Sequence, residues 1–391
     1  MHLLFATSIV PDGALSSGYE IANQAIIDAL RRAGVRVTVL GFGWPGKPPS
    51  DPENTVLLGS LDVRTDAAPL PRKLGWLAGA LASGLTFASA KLRVVSDETV
   101  RQAIEAAGPF DGYILNSVQM AAAFERLFQD RPSIFVAHNV EFRSAAENSR
   151  AANGAFQRLL FRREARLLEV IEKRLCRNAR FVFTLAEEDR AELGVASDTR
   201  SVALPLVTRS QPPARQGKRD IDCDAALIGT WTWEPNRIGL DWFLGKVVPH
   251  LRTDFRIHIA GSVPAGVSSP HPGVKFVGRV PDAQDFVRSA AVIPLVSTSG
   301  SGVQLKTIET FELGLPSVAT AHSLRGIAYK PANCTMTDDP IAFARALERT
   351  VEQKIADVDG SDFHRRQIAA LDLAVAGGLA RLGAGAHEVA A

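Results

Sequence analysis

Short apolar runs alternate with longer amphipathic segments along the first half of the chain. This alternation is typical of a parallel β-sheet that is covered by helices. Residues 18–33 carry apolar side chains at helical spacing, and Gly34 follows as a helix stop. A longer helix is predicted over residues 156–177. The apolar runs predict six strands, at residues 3–6, 36–41, 112–115, 133–137, 181–185 and 201–204.

Apolar periodicity disappears between residues 205 and 224, where polar residues and Pro212-Pro213 predominate. A second alternating pattern follows. It predicts strands at residues 225–228, 255–260, 274–277, 291–295 and 316–320. At 391 residues the chain is longer than one hydrophobic core usually supports.

We therefore predict an α/β protein of two facing Rossmann-like domains, with a ligand cleft between the carboxyl ends of their strands. The predicted boundaries are 1–205 for the N-terminal domain, 206–224 for the linker and 225–391 for the C-terminal domain. The last helix is considered as an element that crosses back to the N-terminal domain.

Composition narrows the function classes. The formal net charge is only +2, so overall charge gives no support to a nucleic-acid partner. The three cysteines, Cys176, Cys223 and Cys334, show neither the spacing of a zinc site nor that of a disulfide framework. The first residues lack a basic leader before a long apolar run, so we expect no signal peptide and a cytoplasmic location.

Residues 74–90 are rich in Ala, Gly, Ser and Leu, and cations flank them on both sides. Arg72 and Lys73 precede the stretch, and Lys91 and Arg93 follow it. The stretch is below the roughly 18 apolar residues of a membrane span. One interpretation is a helix packed within a domain. The alternative is peripheral membrane contact through residues 72–93, at the inner face of a membrane and close to a lipid-linked acceptor.

The segment 299–316 contains the most informative chemistry of the chain. Four small residues follow an apolar strand and lead into a predicted amphipathic helix that stops at Gly314. A glycine-rich turn at a helix start presents unpaired N–H groups that suit a diphosphate. Lys306 and Glu309 are three residues apart and share one face of this helix. The alternative is an ordinary connection with a solvated lysine and glutamate.

The start of the second domain predicts a further part of the same site. The predicted strand 225–228 is followed directly by Gly229, a turn and a helix entry. Arg237 lies near the helix start, within reach of a pyrophosphate. Trp231 and Trp233 are candidates to stack on a base or sugar, although supporting the turn is the commoner use of a tryptophan.

These segments resemble family 4 retaining glycosyltransferases of the two-Rossmann (GT-B) architecture. Residues 227–237, with Phe243 and Pro249 behind them, are similar to the family pattern of a strand, Gly-Ser-x-x-Trp-x-Pro-Asn, a helix with Phe, and Pro. The segments 259–261, 274–280, 294–295 and 300–316 follow in the family's order and spacing. The resemblance covers most of residues 225–320 and, more loosely, the N-terminal half.

The resemblance implies roles for individual residues. The family has two glutamates eight positions apart; the second matches Glu309, and Ser301 occupies the position of the first, as in a Gly-Ser-Gly-x-x-Leu-Lys variant. Glu309 is then expected to hold the ribose hydroxyls of the donor. The remaining expected donor contacts are amides of Gly302 and Val303 and the side chains of Lys306 and Arg237 at the leaving diphosphate, together with Ser301, Gly229 and Trp233.

In the first domain the resemblance points to two residues. Gly18 matches a glycine of the family's loop after the first strand, which approaches the donor phosphate or the acceptor. His138 ends an apolar strand and matches a family histidine close to the transferred sugar. From the sequence alone, a strand-end histidine is also compatible with a structural hydrogen bond.

The implied function is transfer of a sugar from a nucleotide diphosphate sugar to a glycan, lipid-linked or other acceptor, with retention, in polysaccharide or glycoconjugate biosynthesis. The donor is a substrate, so no cofactor is expected. No metal is expected either, because Asp220-Ile221-Asp222 stands at the end of a polar linker before a strand. A nucleotide-sugar epimerase of the same fold and a non-catalytic nucleotide- or carbohydrate-binding scaffold subunit remain alternatives.

Overall fold

The chain forms two compact units. The structure, a computed structural model, describes residues 1–14, 17–65, 68–152, 154–213, 217–300 and 302–383. One unit comprises Met1–Leu206 together with Ala369–Ala391, and the other comprises Val207–Ile368. The second unit is therefore an insertion within the sequence of the first.

A seven-stranded parallel sheet forms the centre of the first unit, in the order β3-β2-β1-β4-β5-β6-β7. The strands are β1 His2–Ile9, β2 Arg36–Gly43, β3 Thr55–Ser60, β4 Gly112–Asn116, β5 Ser133–Ala137, β6 Phe181–Thr184 and β7 Ser201–Ala203. The helices are α1 Gly18–Arg32, α2 Leu70–Ser83, α3 Phe87–Lys91, α4 Asp97–Ala107, α5 Val118–Ala123, α6 Glu141–Ala151, α7 Ala155–Asn178 and α8 Glu187–Glu192.

Local sequence explains why the first strand is followed by a helix at this place. The Ser17 hydroxyl accepts the N–H of Glu20, and the Glu20 carboxylate accepts the N–H of Ser17, which forms a capping box at the start of α1. The strand order reverses between β1 and β4. This reversal is a topological switch point, where open α/β sheets bind ligands at the carboxyl ends of their strands.

The second unit contains a six-stranded parallel sheet in the order β10-β9-β8-β11-β12-β13, which reverses between β8 and β11. The strands are β8 Cys223–Thr230, β9 Ile257–Ser262, β10 Val274–Gly278, β11 Ala290–Leu295, β12 Ser317–Ala319 and β13 Cys334–Met336. The helices are α9 Glu234–Trp242, α10 Ala283–Arg288, α11 Leu305–Glu312, α12 Pro340–Glu352 and α13 Gly360–Gly383, the last of which continues into residues of the first unit. Short turns of 3₁₀ or π helix cover Pro52–Asn54, Glu125–Phe128, Phe243–Val247, Val248–His250 and His322–Leu324.

Each unit has its own apolar core. In the first unit every residue of β4 and β5 is buried, because both faces of a doubly wound sheet are covered by helices. In the second unit Phe243 and Phe343 pack edge to face beneath the sheet. In each unit, hydrophobic packing holds the helices against the sheet. The carboxyl ends of the strands are the edge at which such sheets bind ligands.

A buried carboxylate holds the two ends of the second unit. Glu312, the last residue of α11, accepts the backbone N–H of Thr208 at 3.1 Å and also accepts its hydroxyl. The same carboxylate accepts Nδ1–H of His364 in α13 at 3.0 Å, and the Arg209 guanidinium lies 3.5 Å away. The first and last segments of this unit therefore meet at one side chain.

The predicted fold class, two Rossmann-like α/β domains, is confirmed. The edge strands β3 and β13 were not among the predicted strands. The stretch 74–90 is not one helix, because Gly84 adopts a left-handed φ of 69° and separates α2 from α3. None of the described helices combines the length and apolar character needed to cross a membrane.

Candidate functional site

A pocket lies at the switch point of the second unit. It encloses about 650 Å³, including space that is open to solvent. The carboxyl halves of β8 and β11 form its floor, and α9 and α11 contribute to its walls. Its lining includes Ile228, Trp231, Asn236, Gln304, Lys306 and Glu309. The pocket therefore occupies the place where doubly wound sheets bind ligands.

The loop that leads from β11 into α11 has unusual backbone geometry. Gly300 and Gly302 have φ values of 100° and 81°, in a region that favours glycine. Gln304 occupies the N-cap of α11, and its side chain makes no capping hydrogen bond. The helix start therefore faces the pocket without a side-chain cap, which suits an anion. Ser301, predicted as a donor contact, lies outside the described residues.

Lys306 places a cation in this pocket. Its ammonium lies 5.1 Å from the centre of the Trp231 ring. A methyl group added to Gly229 would lie 2.8 Å from Nζ, so the absence of a side chain at Gly229 leaves room for the amine. The residue remains accessible to solvent, but protein atoms surround the amine within the concave pocket, and this desolvation lowers its pKa to about 8.

The ring beneath the lysine has a fixed position. Trp231 is buried, and its indole N–H donates to the Ala260 carbonyl at 2.8 Å. Trp231 therefore supports the turn after β8. This is the commoner of the two uses that the sequence analysis considered for this tryptophan. Trp233 occupies the N-cap of α9, is 55% exposed and is not one of the pocket-lining residues.

Glu309 lies one turn after Lys306 on α11, and both side chains line the pocket. Gln284 of α10 donates its amide to Glu309 Oε1 at 3.0 Å. Burial raises the pKa of the Glu309 carboxyl, and the hydrogen bond from Gln284 opposes that shift. The second carboxylate oxygen leaves an acceptor available for a hydroxyl-bearing ligand.

Some predicted donor residues are not in this group. The Arg237 guanidinium forms an ion pair with Asp241 one turn further along α9, with 2.8 Å between Nε and Oδ1, and Arg237 does not line the pocket. Gly302 is buried and Val303 half-buried, just before α11. Lys306 and Glu309 thus line the pocket and Gly229 lies beside the Lys306 amine, whereas Arg237, Trp233, Gly302 and Val303 are not among the lining residues.

The switch point of the first unit contains a polar network rather than a charged pocket. The Thr7 hydroxyl of β1 lies 2.7 Å from the Tyr19 hydroxyl of α1. Asn116, which ends β4, donates from Nδ2 to Asn23 Oδ1 at 2.8 Å and to Thr7 Oγ1 at 3.2 Å. His138, directly after β5, lies 2.8 Å through Nε2 from Asn116 Oδ1. We call these five residues the switch-point network.

The switch-point network defines the protonation state of His138. An amide oxygen only accepts, so His138 Nε2 carries the hydrogen and Nδ1 is left as the acceptor. The Tyr19 ring lies 5.0 Å from the imidazole. Burial lowers the pKa of His138 to about 4, so the ring is neutral near pH 7.

A buried side chain of α7 anchors the segment that follows His138. Glu172 of α7 is buried and accepts the backbone N–H groups of Glu141 and Phe142 at 3.0 and 2.9 Å. These are the first two residues of α6, which begins shortly after His138. Burial raises the pKa of Glu172 to about 8. Two hydrogen bonds to one carboxylate fix the turn between β5 and α6.

Sequence reasoning found His138 but missed its partners. Gly18 is exposed at the start of α1, and the next residue, Tyr19, is the one that enters the network. Asn116 directly ends an apolar strand, as His138 directly follows one. A polar residue at a strand end was therefore the available signal. Among the described residues, no cluster of three or more His, Cys, Asp or Glu side chains could hold a metal ion.

Several solved structures are similar in fold to this chain over nearly its whole length. TarM matches with a TM-score of 0.62 and 11% identity over 98% of this chain and 99% of that chain. The lipopolysaccharide outer core galactosyltransferase WaaB matches with a TM-score of 0.56 and 12% identity over 98% and 99%. HepE from Anabaena matches with a TM-score of 0.52 and 13% identity over the full length of both chains. A search of curated protein sequences finds no significant match.

Two family models also match. Residues 17–205 match the family described as "Glycosyl transferase 4-like domain", and residues 224–353 match "Glycosyl transferases group 1". The chain is a glycosyltransferase. In this glycosyltransferase, the residues that line the pocket of the second unit all fall within the group 1 match. Tyr19, Asn116 and His138 fall within the other match.

Proposed function

We propose that this glycosyltransferase transfers a sugar, with retention of anomeric configuration, from a nucleotide diphosphate sugar to a glycan, lipid-linked or other acceptor. Polysaccharide or glycoconjugate biosynthesis is the setting that this chemistry fits. The observation that carries the proposal is the pairing of Lys306 and Glu309 in one pocket at the switch point of the second unit. The Lys306 ammonium suits the diphosphate of such a donor, and the neighbouring Glu309 carboxylate suits hydrogen bonds from its ribose hydroxyls.

Related structures support this choice of donor. HepE from Anabaena was solved in complex with UDP, and also with UDP and glucose. A mutant of TarM from S. aureus was solved with Fondaparinux, alpha-GlcNAc-glycerol and UDP, and matches this chain with a TM-score of 0.55 at 10% identity. We therefore include uridine nucleotides among the first donors to test.

Catalysis in this proposal depends on stabilising the leaving diphosphate. Negative charge develops on the diphosphate as the glycosidic bond breaks, and Lys306 with the first amides of α11 stabilises it. Arg237 contributes only after its ion pair with Asp241 opens. The acceptor hydroxyl attacks from the face that the diphosphate leaves, and a phosphate oxygen takes its proton. The proposed reaction needs no metal ion, so a chelator leaves the rate unchanged.

We further propose that His138 contacts the transferred sugar. The switch-point network holds its Nε2–H on Asn116 and leaves Nδ1 as an acceptor, which suits a sugar hydroxyl. A ring whose pKa is about 4 is a weak base at pH 7, so the proposed role is hydrogen bonding and not proton transfer. Asn116 then acts as a positioning residue for His138.

The test begins with donor binding. Thermal-shift screening against UDP, GDP, ADP and TDP sugars is expected to give an increased melting temperature with one base. Product analysis with that donor then separates the alternatives: a transferase gives a glycosylated acceptor of retained configuration, whereas an epimerase converts or hydrolyses the donor alone. A protein that binds none of these nucleotides would be a scaffold, and the proposal would be wrong.

A further inference from the structure

Helix α2 exposes almost its whole length. Of its 14 residues only Ala80 is buried, although four are leucines. The exposed fractions of Leu70, Leu74 and Leu81 are 67%, 55% and 54%. At about 100° per residue, these three side chains fall within about 40° of one another around the helix. A single exposed leucine is ordinary, but an aligned stripe of them indicates an interaction surface.

The first turns of α7 extend this surface. Phe156 and Leu159 are 68% and 64% exposed. Helical spacing places both on the face of Arg163, which donates through Nη2 to the carbonyls of Ala80 at 2.8 Å and Leu85 at 3.1 Å. The exposed apolar side chains of α7 therefore lie next to the carboxyl end of α2. We call α2 with residues 155–166 the basic-apolar surface.

The charge of the basic-apolar surface is one-sided. Helix α2 contains Arg72 and Lys73 and no acidic residue. Residues 155–166 contain a single acidic residue, Glu164, whose carboxylate binds Arg163 at 2.7 Å and the N–H of Phe87 at 2.8 Å. The arginines of this segment are Arg158, Arg162, Arg163 and Arg166.

The structure changes which cations belong to this surface. Lys91 is buried, donates to the Val63 carbonyl at 2.9 Å and lies 4.8 Å from the Trp76 ring centre. Arg93 pairs with Asp97 and donates to the Ala123 carbonyl. The two cations that follow residue 90 therefore make internal contacts. Arg162 and Arg166, which the sequence interpretation did not include, are exposed beside Leu159.

We propose that the basic-apolar surface docks on an anionic lipid bilayer. Leucine and phenylalanine side chains enter the boundary between headgroups and acyl chains, while Arg72, Lys73, Arg162 and Arg166 meet lipid phosphates. A second copy of the chain fits less well, because a twofold contact through this face would bring like charges together. The proposal does not depend on sugar transfer, since docking is measured without donor.

The test is flotation of the full chain with vesicles of phosphatidylcholine alone and of an equimolar mixture with phosphatidylglycerol, in low and high salt. The protein is expected to float only with anionic vesicles in low salt. The double variant Arg162→Gln/Arg166→Gln should lower the vesicle partition coefficient roughly 25-fold, at roughly fivefold per cation. The double variant Leu74→Gln/Leu159→Gln should also abolish flotation.

The matched control is Leu373→Gln, which changes a leucine of α13 that is 76% exposed and should leave flotation unchanged. All these positions are exposed, so circular dichroism melts should stay at the wild-type value. Absence of flotation in low salt would overturn the proposal, as would an equal loss in the control. The protein could instead fail to bind vesicles and form a dimer that Leu74→Gln/Leu159→Gln abolishes. That result would show that a second copy covers this face, and the proposal would be wrong.

Discussion

The two sheets present opposite chemistry at the same topological position. At the switch point of the first unit, five neutral side chains satisfy one another through hydrogen bonds around Asn116. At the switch point of the second unit, Lys306 and Glu309 line a pocket open to solvent, and desolvation disfavours the charge of each. The first site is organised before any ligand arrives, whereas the second holds charges whose best partners are on a ligand.

This difference separates stability from function. Removing a member of the switch-point network leaves buried polar groups without partners, which destabilises the fold. Removing a charge from the second pocket relieves desolvation, so the fold should tolerate it while binding or turnover suffers. Substitutions in the switch-point network should therefore lower stability, with an added loss of turnover at His138, whereas substitutions in the second pocket should affect binding or turnover alone.

The largest effect is expected from Lys306→Met, which keeps the aliphatic stem and removes the charge. Turnover at saturating donor should fall by roughly 100-fold to 1000-fold, the scale for losing one preorganised electrostatic donor. The melting temperature at pH 7 should not fall, because desolvation of the amine by the pocket walls disfavours its charged form in the folded state. Lys246→Met, at an exposed lysine of the same unit, is the control. Turnover within a few-fold of wild type would make Lys306 a solvated helix residue.

Glu309→Ala should weaken donor binding by roughly tenfold to 150-fold, from the loss of hydrogen bonds to a charged group. Isothermal titration calorimetry with the nucleotide that the thermal-shift screen selects measures this change. Glu234→Ala, an exposed glutamate of α9, should bind like wild type. An unchanged affinity in Glu309→Ala, with a normal melting curve, would remove the assignment of this carboxylate to the ribose.

His138→Ala should lower turnover by about fivefold to 100-fold, from the loss of one sugar hydrogen bond. Affinity for the free nucleoside diphosphate should stay the same, because the proposed contact is to the sugar. Steady-state kinetics and calorimetry on the same preparation separate the two quantities. Near wild-type turnover would leave His138 as a structural member of the switch-point network.

The effect that is smallest near pH 7 concerns acid stability. The pKa of His138 is lowered from 6.5 to about 4 in the folded protein, so between these pH values the unfolded chain binds a proton that the folded protein does not. The free energy of unfolding is therefore unaffected by protonation of His138 above pH 6.5. It falls as the pH drops from 6.5 toward about 4, by up to about 1.4 kcal/mol per pH unit. Urea unfolding of wild type and His138→Gln should show a shallower pH slope in the variant. Parallel slopes would contradict the burial of a neutral imidazole.

The sequence predicted the interior strands well because their signal is local. Strand β5 was predicted with its observed bounds, since every residue in it is buried and apolar runs are sufficient to identify it. The strands β3 and β13 lie at the sheet edges, are only three to six residues long and expose part of their length. Their weaker patterns carry less information.

The two sites also differed in how far the local sequence could predict them. Lys306 and Glu309 lie on one helix, so spacing alone placed them together. The switch-point network joins Thr7, Asn23 and Asn116, which only the strand order β1-β4-β5 brings together. The ion pair that holds Arg237 on Asp241 was also not predicted, although the i, i+4 spacing was available.

The carboxylate of Glu312 has a consequence for how such enzymes can diversify. Thr208 and His364, near the two points where the chain enters and leaves the second unit, both bind this side chain. Residues 207–368 are therefore a cassette with adjacent ends, of the kind that recombination can exchange without threading new loops. Replacing residues 207–368 with the matching stretch of another transferase should transfer its donor preference. The incoming segment must carry its own equivalents of Thr208, Glu312 and His364, so that its two ends remain bound to each other.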